Sequence, residues 1–104
     1  EYFIFRKLGS IKVKGKKQSV KVYQLICKKE NQTDKIKDLL KQFDKSRQLY
    51  LDRKWDDAII EFTKTIDLEF KGINPSLTYI TICKEYKKNP PSLDWDGTYI
   101  FNKK

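Results

Sequence analysis

The sequence contains no histidine, two cysteines, four glycines and three prolines in 104 residues. Without histidine, the commonest general base and a leading zinc ligand are missing. Cys27 and Cys83 stand far apart with no Cys-x-x-Cys spacing, so a zinc site is not expected. Two free thiols in a reducing cytoplasm read better than a disulfide. No apolar run approaches the ~20 residues that a spanning helix needs. The opening, EYFIFRK, carries aromatics and a basic pair but no signal-peptide core. It starts inside an apolar run, so Glu1 is expected to be a boundary cut through a longer protein. Any chemistry would fall to carboxylates or lysines.

Charge is abundant but uneven. Residues 1–31 hold nine Lys/Arg against two Asp/Glu, residues 32–70 hold eight against nine, and residues 71–104 hold six against three. The net +9 therefore belongs mainly to the first segment, and the balanced middle is what a helical surface laced with ion pairs shows. Residues 1–27 alternate with period two: Phe3 and Phe5 against Tyr2 and Ile4, Ile11 and Val13 against Lys12 and Lys14, Val20 and Val22 against Lys21 and Tyr23. Gly15 and the residues after it make the loop of a hairpin. KKENQT, residues 28–33, reads as a polar linker. From Asp34 the period becomes helical. Ile36, Leu39, Leu40, Phe43, Ser46, Leu49 and Tyr50 form one stripe, Trp55, Ala58, Ile59, Phe62 and Ile66 a second, and Leu77, Ile80 and Cys83, with Tyr79 and Tyr86, a third. Thr33 or Asp34 is the expected cap of the first helix, and Asn74-Pro75 starts the third. Residues 89–104 read as an extended tail laid on the helices, turning at Asp96-Gly97.

The predicted class is thus mainly α: a short N-terminal β-hairpin over 1–27, a linker over 28–33, a three-helix bundle over 34–88 and the tail over 89–104. Two helices cross closely where small side chains meet. Ser46, Ala58 and Phe62 have the spacing of the tetratricopeptide repeat, which the helical part resembles. Trp55 joins this expected crossing. The departures are Gln42 at the repeat's tryptophan position, Leu49 at its aromatic position and no proline after Phe62. A generic three-helix bundle puts the same residues in the core.

A wider resemblance spans nearly the whole chain. Arg6-Lys7-Leu8-Gly9, Val13-Lys14-Gly15-Lys16 and Val22-Tyr23-Gln24-Leu25 resemble the C-terminal end of the catalytic domain of class III adenylate/guanylate cyclases. Phe43, Tyr50, Trp55, Ala58 and Phe62, then Pro75, Pro90-Pro91 and Trp95-Asp96-Gly97, are similar to the extension that follows that domain in many bacterial members. The resemblance implies a parent enzyme that cyclises ATP or GTP with Mg or Mn held by two aspartates. It uses an Asn-x-x-x-Arg pair for the transition state. All of these lie upstream of the VKGK turn and have no counterpart here, so the chain by itself is expected to hold no catalytic residue and no cofactor. By position, Lys14, with Lys16 second, is the lysine that reaches the substrate phosphates in the parent. An ammonium is a compact charge suited to a polyphosphate. In this chain alone, an ordinary solvated lysine is the simpler reading.

The expected role is that of a regulatory or interaction module of a cyclase. Its partner is its own catalytic domain, a second cyclase subunit, or a peptide. Tyr79, Lys84 and Lys87 are the candidate partner surface. The expected location is cytoplasmic, with any membrane segment upstream. A basic nucleic-acid-binding module is the alternative, on the basic segment and its aromatics. It is disfavoured because those aromatics alternate as core residues do. A purely structural cap on the cyclase sheet is the other alternative.

Overall fold

Helix α1, Asp34–Leu51, begins where Thr33 leaves extended backbone and its hydroxyl accepts the Ile36 amide at 3.2 Å. A three-residue turn leads into α2, Trp55–Thr63. Arg53 in that turn has φ 63, and its guanidinium donates to the carbonyl oxygens of Pro91 (3.0 Å) and Ser92, tying the residues after α3 to the α1–α2 corner. Helix α3, Pro75–Lys88, starts at Asn74, whose side chain accepts the Leu77 amide at 3.1 Å, with Pro75 in the first turn. A computed structural model supplies these coordinates and describes residues 2–101, with Phe101 described by its backbone.

The three helices close around rings. Phe43, Phe62 and Tyr50 are almost wholly buried, and Tyr79 stacks on Phe62 at 4.9 Å with 2° between planes. Tyr50 meets Tyr79 edge-on at 4.8 Å and Trp55 at 5.9 Å. Such geometries suit the ring quadrupole. Ser46 and Ala58 are fully buried on α1 and α2, and the Ser46 hydroxyl donates to the Gln42 carbonyl at 2.8 Å, so its polarity costs little. Trp55 is only half-buried, at the edge of this core rather than inside it. Gln42 replaces a ring contact with a polar one. Its amide donates to Glu61 Oε1 at 2.6 Å, and this contact, followed by that of Lys64, holds the Glu61 carboxyl below its usual range.

Strands β1, Phe3–Val13, and β2, Val20–Lys28, form the expected hairpin. Two irregularities interrupt its ladder, one between Ile4 and Phe5 and one between Lys7 and Gly9, where β1 carries an extra residue, Leu8. The third strand corrects the expected fold. Residues Tyr99–Phe101 form β3, parallel to β1, in a mixed sheet of order β2-β1-β3. With 47% helix and 22% strand the chain is α+β, not mainly α. Within the segment expected to be an extended tail, Tyr99–Phe101 are a strand of the sheet. A parallel partner rises between residues almost ninety positions apart, and nothing local in Tyr-Ile-Phe announces it.

The chain divides into two compact units. One runs to Gln32 and resumes at Asp94, and the other is Thr33–Leu93. Among the described residues, every large buried apolar side chain, Leu39 to Tyr86, lies in the helical unit. The sheet unit buries Arg6 and Thr98 instead. Arg6 donates to Gln24 Oε1, its direct cross-strand neighbour, through Nε at 3.1 Å.

Candidate functional site

The most basic part of the molecule is the β1–β2 corner. Val13 to Lys16 form a β-turn closed by the Lys16 amide on the Val13 carbonyl at 3.0 Å. Gly15, third in the turn, has φ 91, which an L side chain rarely adopts, and a Cβ there would meet open space. The constraint on Gly15 is therefore one of backbone conformation and not of crowding. The turn lifts Lys14, Lys16 and Lys17 into solvent. None of the three has an ion-pair partner among the described residues.

An open groove of about 490 Å³ lies beside the turn, lined by Ile11, Lys12, Val13, Lys16, Lys17 and Val20, with Gln18. Apolar side chains and ammonium groups share that lining, a combination that attracts an anion. Of the two lysines singled out by motif, Lys16 lines the groove, and Lys14 stands on the turn outside that lining. Lys12 and Lys17 are the additional cations. Their contribution was hidden by the alternation that assigned Lys12 simply to a solvated face.

The aromatics of β1 and β2 are not core. Phe5 sits opposite Leu25 in the ladder, so the two share a face, and each is 55% exposed. The next pair on that face is Lys7 with Tyr23, and Tyr23 is also exposed. One whole face of the hairpin therefore presents large apolar side chains between lysines.

The helical unit gives a different outcome for its proposed surface. Tyr79 is 7% exposed and belongs to the aromatic core, with its hydroxyl accepting from Arg47 Nε at 3.2 Å. It is a core residue with one polar handle, not a contact residue. Lys84 and Lys87 are exposed, and Lys87 pairs with Asp56 at 2.7 Å, a surface ion pair of small energetic weight. Ser46, Ala58 and Phe62 are fully buried.

Among the described residues no group of three His, Cys, Asp or Glu side chains converges in a way that would hold a metal ion. No described helix is long and apolar enough to cross a membrane. Comparison of the chain with family models, with curated proteins and with solved structures returns no match.

Proposed function

We propose that this chain is the C-terminal part of a class III nucleotidyl cyclase, the last hairpin of the catalytic domain followed by a helical regulatory or interaction module. The observation that carries the reading is the Val13–Lys16 turn. The residues that resemble the family's VKGK motif form a tight turn that needs its glycine, with Lys16 lining a groove and Lys14 exposed beside it. The uncovered apolar face of the hairpin supports it, since a two-stranded hairpin is marginal alone and such a face belongs against further structure. The helical unit, by contrast, closes its own core, as a module appended to an enzyme would. The free thiols Cys27 and Cys83 suit a reducing, cytoplasmic setting. In the parent, Lys14 and Lys16 contact the triphosphate, and Mg or Mn is bound by residues upstream.

The test is steady-state kinetics on the full reading frame that contains this chain. Lys14→Ala and Lys16→Ala are expected to lower kcat/KM for ATP or GTP by about tenfold or more. Unchanged kcat/KM in both variants would remove the phosphate role. A second reading has one observation in its favour: Tyr2, Phe5 and Tyr23 are exposed beside lysines, an arrangement on which unpaired bases stack. It requires low-salt binding of a labelled single strand that weakens steeply as salt is raised, and no retention at low salt would dismiss it.

A further inference from the structure

The two ladders of β1 end at different places. Pairing with β2 runs to Ile11 opposite Val20, and no β2 residue stands in register with Lys12 or Val13. Those two residues are strand because β3 pairs with them. Ile100 is opposite Lys12, Phe101 opposite Val13 and Tyr99 opposite Ile11. Lys14 follows at once. Between the end of the β2 ladder and the turn's own Lys16–Val13 bond, the strand partner of β1 is therefore β3.

The segment before β3 is built to present it. The Trp95 indole donates to the Thr98 carbonyl at 2.8 Å, and Asp96 Oδ1 accepts the Thr98 amide at 3.0 Å. Thr98 is buried, while Ile100 is 47% exposed. The delivering turn is firm, but the strand that it delivers is three residues long. It is also parallel, the less stable pairing per residue. Short edge pairings of this kind open locally well before the rest of a fold. The helical unit, Thr33–Leu93, lies in the chain between β2 and β3, so one of its ends feeds the strand that makes the strap.

We propose that β3 is a detachable strap. Docked, it holds Lys12 and Val13 extended and fixes the stem of the lysine turn. Undocked, it releases both residues and the turn with them. A partner that draws on the helical unit reaches the turn through the chain itself. That this regulates nucleotide contact rests on the cyclase reading, whereas the strap does not.

The experiment is residue-resolved amide hydrogen exchange on the whole chain, wild type against Tyr99→Pro/Phe101→Pro, with Tyr99→Ala/Phe101→Ala as control. Val13 accepts from Lys16 on the hairpin side, so its neighbour Lys12 turns its N–H and C=O towards β3. In a parallel pair such a residue bonds to the two residues that flank its partner, here Tyr99 and Phe101, and Ile100 directs its own amide away from β1. Prolines at 99 and 101 remove the amides that face β1. Exchange at Lys12 is expected to speed up at least about tenfold in the proline variant. Rates at Val22–Leu25 and in α1–α3 should hold, and the alanine variant should resemble wild type. Unchanged exchange at Lys12 would overturn the proposal. If the proline variant also exposes Val22–Leu25, the wild type in rising low denaturant decides. There Lys12 should open together with Phe101, before Val22–Leu25, and a single common opening would overturn it. The same variant in the full reading frame separates the two ideas. Fast exchange in a frame that makes no cyclic nucleotide leaves the strap standing and removes the cyclase reading. Unchanged exchange in an active frame does the reverse.

Discussion

Phe62→Ala is expected to destabilise the helical unit by about 3–5 kcal/mol, the range for a large ring removed from a core that cannot collapse around the gap. Phe62 is fully buried, stacks on Tyr79 at 4.9 Å and meets Phe43 at 5.6 Å. It is therefore the fully buried ring of α2 that meets both neighbouring helices, while half-buried Trp55 meets them at the edge through Tyr50 and Tyr86. Its loss leaves two further aromatics facing a void, and their contacts are forfeited with it. Urea unfolding followed by far-ultraviolet circular dichroism reads the helical unit directly. A midpoint within error of wild type would show that the core is not organised around this residue. Phe62→Leu, which keeps most of the volume, should recover much of the loss.

The second expectation concerns alkali. Burial pushes the Cys83 thiol up to about 12, and burial likewise raises the phenols of Tyr79 and Tyr50 above their usual range, Tyr50 the more strongly. For these groups the protonated, neutral form is the one that the core accepts. Below about pH 8.5 both folded and unfolded chains hold the thiol proton, and stability does not depend on it. Above that, the unfolded chain releases the proton and the folded chain keeps it, so the unfolded state binds fewer protons and stability falls as pH rises. The slope is about 1.4 kcal/mol per pH unit while Cys83 alone titrates, and it steepens near pH 10 as the tyrosines join. Chemical denaturation at a series of pH values from 7 upward measures it. Cys83→Ala should flatten the profile between about pH 8.5 and 10. Parallel profiles for wild type and Cys83→Ala would contradict the assignment of Cys83 to a sealed core.

Which parts were legible in the sequence follows from which forces are local. The helices were, because Leu39, Phe43, Ser46 and Tyr50 recur at three- and four-residue spacing and because Thr33 and Asn74 are side chains that cap. The turn at Gly15 was legible for the same reason. Strand facing was legible only as alternation. Alternation states which residues share a face, and it does not state what covers that face. Phe5 and Tyr23 therefore read as core and are half-exposed. The Leu8 irregularity was invisible, since an inserted strand residue has no composition of its own. Strand β3 and the Arg53 clamp on Pro91 and Ser92 were invisible because each depends on a partner far along the chain. Tyr79 was misplaced for a different reason. A tyrosine near lysines on a helix reads as surface, but here only its hydroxyl needs a polar neighbour, and Arg47 provides one from inside the bundle.

The lysine groove was half legible. Motif spacing pointed to Lys14 and Lys16, and three-dimensional closure of the turn adds Lys12 and Lys17 and sets Lys14 apart from the lining.

Cyclic-nucleotide formation by the full reading frame carrying this chain decides the matter. ATP and GTP would be assayed separately with Mg and with Mn, with and without residues 33–104. The cyclase reading predicts a cyclic nucleotide from one of the two substrates, and a change in turnover or in the dimer dissociation constant when the residues are removed. No cyclic product from either nucleotide with either metal would contradict it.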